Sequence, residues 1–205
     1  MKKMFSKLCL IGLCLLISGC ISLLVPNVTT EVVNLRAGEY KLDQTHAAII
    51  FKVQHIGLST YVGRFNKFDA SLDFDPDNIS ATELNGIIEI TSLDINNSAL
   101  AEDLMSRTWF DAEKFPQAVF STREVQVVGG NEFDFVGNLD WRGVIKPVTL
   151  RVTFNGGATN ILTGKYTLGF AAKGSILRSN FGMDAYIPIV GDKIDIEIYA
   201  EFQKS

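Results

Sequence analysis

The chain has 205 residues, of which 47% are hydrophobic, and its formal net charge is −4 at pH 7. An acidic chain without a long basic run is a poor partner for nucleic acid, because that binding depends on neutralising phosphates. The length fits one domain behind a short leader, and no internal repeat is visible at the spacing of solenoid or propeller proteins.

Residues 1–19 have the layout of an export signal. Three lysines form a positive start, and residues 8–17 are an apolar run that is too short to span a bilayer. The segment ends Ile17-Ser18-Gly19-Cys20, which resembles the lipobox of bacterial lipoproteins. The resemblance implies cleavage before Cys20 and acylation of that cysteine. The alternatives are an ordinary secretory signal or an uncleaved anchor.

The cysteine count supports the lipoprotein interpretation. Cys9 and Cys14 lie in the segment that would be removed, so Cys20 would be the one thiol of the mature chain. No intramolecular disulfide could form, and acylation would explain an isolated cysteine in an exported protein. Two or more acyl chains would anchor the protein stably. Ile21 stands where an aspartate would signal retention in the inner membrane, so we expect the periplasmic face of the outer membrane.

Two segments follow the leader. We predict that residues 20–37 are the lipidated cysteine and a tether, and that residues 38–205 are one domain. Removal of the leader takes away three lysines and lowers the formal charge from −4 to −7. The tether is too apolar for a disordered linker, so part of it could dock on the domain as an extra strand.

Alternation of apolar and polar residues predicts about eight or nine strands, because successive side chains of a strand point to opposite faces. The hairpin of Phe133–Phe154 shows the pattern well: each of its strands has one face of Phe, Leu and Val, which needs further sheet to cover it. The runs span residues 39–43, 47–55, 68–74, 84–90, 119–128, 133–139, 148–154, 166–172 and 194–202.

One segment breaks the two-residue period. Residues 97–115 place Leu100 and Leu104 four apart, Asn97 or Ser98 can cap a helix, and Pro116 ends the segment. We predict a short helical insertion here that plugs one end of the structure.

These elements predict an all-β antiparallel protein, either a sandwich or a barrel. Closing the sheet removes its edges, and a barrel of about eight strands either fills with side chains or holds one small ligand. Alternation alone does not distinguish a filled interior from a cavity.

Dispersed motifs run through this part of the chain. They are His46, His55-Ile56-Gly57, Val62-Gly63-x-Phe65, Asn96-Asn97, Phe110-Asp111-x-x-x-Phe115-Pro116, Gly143-Val144-x-Lys146-Pro147-Val148, Arg178-Ser179-Asn180-Phe181-Gly182-Met183 and Val190-Gly191-Asp192. In this order, from about Glu39 to Phe202, they resemble the YceI family of bacterial exported proteins. The resemblance implies that residues 38–205 form a lipocalin-like antiparallel β-barrel domain whose long apolar cavity binds polyisoprenoids or similar amphiphiles. It also implies a carrier or storage role without an established enzymatic reaction.

Two motifs depart from the family pattern. The insertion has Leu100-Ala101-Glu102-Asp103 where the family usually has Arg-Asp-x-His, and Asn180 replaces an aspartate. Both changes alter polar groups that could orient a headgroup or close the barrel mouth.

The predicted cavity wall consists of residues on the apolar side of the strands. About half should touch a ligand, while the others pack against one another. For headgroup contacts we consider two histidines and one arginine, although hydrogen bonding near strand ends is the simpler role for the histidines. The wall residues are Phe51, Phe68, Leu72, Phe74, Ile88, Phe120, Phe135, Leu150, Val152, Phe170, Ile196 and Ile198, and the headgroup candidates are His46, His55 and Arg178.

The sequence lacks the motifs of common enzymes. It has no Gly-x-Ser-x-Gly elbow and no Walker loop, and two histidines without a nearby cysteine do not complete a zinc site. We therefore predict no metal, no cofactor beyond a bound lipid, and no enzymatic activity. The competing hypothesis is a structural or interaction module with a filled barrel; an enzyme acting on a bound lipid is less favoured. A homodimer is compatible with the sequence.

Overall fold

The computed structural model describes residues 26–205. The predicted leader, Cys20 and the first part of the tether lie outside the described residues. Within residues 26–205, eleven strands form one antiparallel sheet. The strands are β1 (Gly38–Leu42), β2 (Ala48–His55), β3 (Ser59–Phe65), β4 (Phe68–Phe74), β5 (Glu83–Glu89), β6 (Leu93–Asp94), β7 (Gln117–Gly129), β8 (Glu132–Trp141), β9 (Val144–Thr159), β10 (Tyr166–Leu177) and β11 (Val190–Lys204).

The sheet closes into a barrel of eight strand positions. The six short strands fill three of these positions in pairs, β1 with β2, β3 with β4 and β5 with β6, and each of β7–β11 fills one. β1 and β2 both pair with β11, β4 pairs with β1, and β3 pairs with β2. In the same way β5 pairs with β4 and β6 pairs with β3. The pairing of β1 with β11 joins the first strand of the barrel to the last. The predicted antiparallel barrel of about eight strands is confirmed.

The register explains why the apolar residues face inward. In β8 and β9, Phe133 lies opposite Val152 and Phe135 opposite Leu150, and all four side chains are buried. Cross-strand partners point to the same face, so matching parities bring the two apolar rows together.

Strand β3 was not predicted, because a glycine interrupts its inward row. Gly63 faces the interior between Tyr61 and Phe65, and a Cβ there would lie 2.4 Å from Cζ of Phe51. The aromatic ring of the neighbouring strand fills the space that a Gly63 side chain would need. Apolar alternation is therefore absent from the sequence although the strand is present.

The insertion contains one helix among the described residues, α1 (Ser98–Leu104). The Asn97 side chain caps it by accepting a hydrogen bond from the backbone N–H of Leu100 at 3.0 Å. The short helix is confirmed, but it covers only seven residues of the insertion, and the rest is turns. Trp109 and Phe110 in those turns are buried at the end of the barrel. No helix in residues 26–205 has the length and apolarity needed to cross a membrane.

The two ends of the barrel differ. The upper end carries the β2–β3 turn, the insertion, the β8–β9 turn and the segment between β10 and β11. The base carries the start of β1 and the β4–β5, β7–β8 and β9–β10 connections. Tyr40, Phe154 and Leu168 are at most 1% exposed and pack the base solid.

The segment before β1 docks at the base. Thr29 forms one isolated antiparallel bridge with Gly157, with N···O distances of 2.9 and 2.8 Å. Leu35 is buried against the barrel. Part of the predicted tether therefore docks on the domain, but as one bridge rather than as a full strand.

Candidate ligand cavity

The barrel encloses an apolar cavity. An upper chamber of about 450 Å³ adjoins, on the side of the base, a smaller chamber of about 120 Å³. The upper chamber alone falls in the range of typical ligand sites, about 300–1,000 Å³. Residues that line both chambers mark their junction: Ile49, Ile88, Ala118, Phe120, Leu139, Leu150 and Ile198.

The exposure of inward-facing residues shows that the interior is hollow. Phe120, Phe170, Ile196 and Ile198 occupy inward positions of their strands, yet each is only partly buried. In a filled core such side chains would lose nearly all contact with solvent, because protein interiors are packed about as densely as organic crystals. Their remaining exposure is to the cavity that they line.

Most of the predicted wall residues surround these chambers. The wall contains Phe51, Phe68, Leu72, Ile88, Phe120, Phe135, Leu150, Val152, Phe170, Ile196 and Ile198. Phe74 is the exception and requires a correction. Its ring packs edge-on against Tyr40 with centroids 6.4 Å apart, in the solid base below the cavity. The parity of Phe74 was right, but its position along the strand places it beyond the hollow part.

Sequence reasoning missed other wall residues. Ile49 and Leu139 share the inward parity of their strands and were identifiable by that signal. Trp109, Phe110 and Met183 also line the upper chamber, but they come from non-strand segments where no period points inward.

The two histidines have different locations. His55 ends β2 and lines the upper chamber while remaining exposed, so it lies at the mouth. His46 does not line the cavity, which corrects its assignment as a headgroup candidate. The short 3₁₀ turn Gln44–His46 separates β1 from β2, and there His46 Nδ1 lies 3.0 Å from Oδ2 of Asp43 on the outer surface.

His46 belongs to a surface cluster with Asp43 and Glu201, whose ligand atoms lie within 4.8 Å of one another. Hydrogen bonds account for this arrangement, because the Asp43 carboxylate already accepts from Thr45, His46 and Gln203. The bond from the Thr45 hydroxyl, followed by that from His46, lowers the pKa of Asp43 from 3.8 to about 2. The same carboxylate raises the pKa of His46 above 6.5.

Arg178 lies on the wall of the upper chamber but is only 3% exposed. Its guanidinium donates to four backbone carbonyls, with N···O distances of 2.5–2.9 Å, and lies 5.3 Å from the Trp109 ring. Burial lowers its pKa, and the carboxylates of Asp192 and Asp184 oppose that shift. The carbonyls belong to Met183, Ala185, Val190 and Gly191, so Arg178 holds the segment that covers the upper end. Its contact with a headgroup stays a prediction.

A second arginine fastens the same end. Arg142 in the β8–β9 turn donates to the carbonyls of Phe181 and Gly182 at 3.0 and 2.7 Å, and to that of Arg107 at 3.1 Å. It thereby joins the turn to the insertion and to the segment after β10. No sequence motif predicted this role, since a guanidinium that binds carbonyls has no characteristic spacing.

The mouth is assigned to the β2–β3 turn, because His55 and Tyr61 on either side of this turn line the upper chamber and are exposed or half-buried. The backbone N–H of Ile56 donates to the carbonyl of Ile189, which joins this turn to the segment before β11 at the edge of the opening. His55 and Tyr61 are the polar wall residues nearest this turn. The arrangement offers an apolar channel with a few polar groups at one end, which suits an amphiphile.

Several known proteins resemble this chain. The YceI-like domain profile matches residues 40–202. UPF0312 protein of Yersinia pestis (strain Pestoides F) is 34% identical over 167 residues, which cover 80% of this chain and 86% of the relative. UPF0312 protein YE1254 of Yersinia enterocolitica is 35% identical over the same length and shares.

Solved structures share the fold. A Campylobacter jejuni YCEI protein superposes with a TM-score of 0.67 at 28% identity, covering 74% of this chain and 90% of that one. BcnA of Burkholderia cenocepacia gives a TM-score of 0.71 at 24% identity, covering 78% and 98%. A polyisoprenoid binding domain from Saccharophagus degradans gives 0.57 at 13% identity, covering 83% and 100%. The profile match spans the barrel and the Yersinia relatives exceed 30% identity over most of the chain; the protein therefore belongs to the YceI family.

Proposed function

We propose that this protein binds a polyisoprenoid, or a comparable long-chain amphiphile, inside its barrel. The observation that carries the proposal is the hollow interior, which has two adjoining chambers walled by aliphatic and aromatic side chains. The polyisoprenoid binding domain of Saccharophagus degradans shares this fold, which supports the choice of ligand class.

The shape of the cavity favours a chain over a compact ligand. The chambers follow one another from the mouth toward the base, so a linear hydrocarbon can extend through both. At about 0.8 kcal/mol per buried CH₂, a few isoprene units gain on the order of 10 kcal/mol before ordering and association costs. Tight but exchangeable binding follows from that balance.

The distribution of polar groups orients the ligand. His55, Tyr61 and Arg178 line the upper chamber, while the lower chamber is walled almost wholly by apolar side chains. The polar head of an amphiphile belongs at the mouth, where it keeps its water or finds hydrogen bonds. Its tail then points toward the base.

Binding is a better account of the cavity than catalysis. In the described part of the chain, no serine, threonine, cysteine, lysine or glutamate lines either chamber, and the one carboxylate on the wall, that of Asp69, accepts a hydrogen bond from the backbone N–H of Ala70 at 2.8 Å. Arg178 donates four hydrogen bonds to the backbone, so it is not free to act as a proton donor. The same hollow interior argues against a filled barrel that serves only as a structural module.

We also propose that the barrel is a lipid-anchored carrier or storage protein on the periplasmic face of the outer membrane. The lipobox-like Ile17-Ser18-Gly19-Cys20 and the following Ile21 support this location. Cys20→Ser should abolish acylation, block precursor processing and release the protein from the membrane fraction. Unchanged fractionation and processing would contradict the anchor while leaving ligand binding untouched.

Native mass spectrometry after gentle purification tests the ligand. We expect a bound lipid of defined mass, and uptake of added prenols that strengthens with chain length. Empty spectra, together with no uptake of prenols of two to eight isoprene units, would refute the carrier.

A further inference from the structure

Two neighbouring hairpin tips at the base are apolar and uncharged. The β7–β8 tip (Val127–Asn131) and the β9–β10 tip (Asn160–Gly164) contain no Asp, Glu, Lys or Arg, and the exposed Glu132 and Lys165 directly follow them. Leu162 is 89% exposed and Val127 is 64% exposed. The tips belong to consecutive hairpins at the same end of the barrel. Glu132 at the start of β8 lies opposite Thr153, and β9 continues to Thr159, so the β9–β10 tip projects beyond the β7–β8 tip. Exposed aliphatic side chains grouped in this way mark an interaction surface.

The path of the chain indicates what covers these tips. Thr29 is held at the base by its bridge to Gly157, two residues before the end of β9 and close to the β9–β10 tip. Cys20 precedes Thr29 by nine residues, which span at most about 30 Å when fully extended. If Cys20 carries the acyl anchor proposed above, the bilayer lies within that distance of the base.

The mouth lies at the far end of the same barrel. β11 has fifteen residues, so it is about 50 Å long, and a strand tilt of about 40° leaves a barrel height of about 38 Å. Only a fully stretched tether lying along the barrel wall would approach the mouth, and it would lose its conformational freedom by doing so. The base is the end that the anchor brings to the membrane.

We propose that the two base tips, Val127–Asn131 and Asn160–Gly164, rest in the interfacial layer of the bilayer that holds the anchor. Their aliphatic side chains leave water on contact, and no charge within the tips has to be desolvated. The ammonium of the flanking Lys165 donates to Oε1 of Gln203 at 3.0 Å and is thereby held on the barrel wall. The β4–β5 connection at the same end carries Asp75 and Asp77 and stays in the aqueous layer. The mouth then faces away from the anchoring bilayer, so cargo enters and leaves on its aqueous side.

The chain offers a matched pair of positions for the test. Leu162 at the base is 89% exposed and Leu58 beside the mouth is 84% exposed. Each is changed separately to cysteine and labelled with an environment-sensitive fluorophore. In the acylated mature protein this is the one reactive thiol, since Cys9 and Cys14 leave with the signal and Cys20 is modified. The labelled protein is then placed in phosphatidylcholine vesicles.

We expect the dye at position 162 to shift to shorter wavelength and to lose intensity when the vesicles contain brominated lipids. The dye at position 58 should keep its aqueous spectrum in both. The opposite pattern, or an aqueous spectrum at both positions, overturns the proposal. A dye at position 162 that is already shielded without vesicles indicates a protein contact and also overturns it. Mass measurement of the acyl group and of bound prenol tests anchoring and ligand binding separately from this orientation.

Discussion

Blocking the junction of the two chambers is the most direct test of a ligand that extends through the barrel. Ile198 faces this junction from β11, between Ala172 of β10 and Ile49 of β2. Ile198→Trp places an indole where the chambers meet. A well-packed core would lose about 1–3 kcal/mol to such overpacking. Here the free space should accommodate the ring, so the melting temperature should change by only a few degrees.

The effect on binding should depend on chain length. A prenol that no longer reaches the lower chamber loses the burial of at least one five-carbon unit, a gross cost of about 4 kcal/mol or about a thousandfold in affinity. Part of that cost is offset because fewer ligand bonds are ordered, so we expect at least about a hundredfold weaker binding of the longest prenols. Prenols short enough for the upper chamber should bind both proteins alike.

Native mass spectrometry with prenols of two to eight isoprene units measures this series, and thermal unfolding checks the fold. Tyr199→Trp is the matched control, because the neighbouring side chain points outward and is 45% exposed. Equal affinity of Ile198→Trp and the unsubstituted protein for the longest prenol would refute a ligand that passes the junction.

Three further predictions concern the fold around the cavity. Arg178→Met should lower the free energy of unfolding by about 3–5 kcal/mol in urea, because four backbone carbonyls lose their donor; a change below about 1 kcal/mol would contradict the clamp. Gly63→Ala should cost about 1–3 kcal/mol by the same assay, since its Cβ would meet the Phe51 ring. Gly86→Ala is the control and should be nearly neutral, because a Cβ at that position would have its nearest neighbour 3.9 Å away. Equal losses of unfolding free energy in the two variants would refute that reasoning. The ionised carboxylate of Asp43 stabilises the fold above pH 3.8, and this contribution is lost as the pH falls toward the folded-state pKa of about 2. Asp43→Asn should therefore show a smaller fall in melting temperature between pH 3.8 and 2. Identical pH profiles would exclude a role for this carboxyl.

Much of the fold follows from local pattern. The rows of β8, β9 and β11 alternate so regularly that their inward faces are readable directly, and the buried positions coincide with them. Asn97 and Pro116 likewise bound the insertion, because caps and prolines act within a few residues. The same local reasoning failed for β3, where Gly63 leaves room for Phe51. That contact joins two strands and is invisible in either one alone.

Local pattern likewise predicted some of the cavity residues and misplaced others. Parity alone placed Leu150 and Ile198 on the interior, but it also included Phe74, which packs against Tyr40 below the cavity. How far a hollow extends along a barrel depends on the ring of side chains at each level, and these come from strands far apart in the chain. His46 was misplaced for a related reason, since the 3₁₀ turn before β2 directs it outward.

By itself, the sequence determined most strand faces, the all-β class and the apolar character of the interior, because these depend on residue types at short, regular spacing, while the choice of a barrel over a sandwich came with the family resemblance. Only the tertiary structure decided that the interior is hollow, that the base is solid, and that Arg178 and Arg142 hold the upper end through backbone carbonyls. Those features depend on volumes and donors contributed by distant segments. No local pattern encodes the volume of the cavity that remains inside the closed eight-stranded barrel.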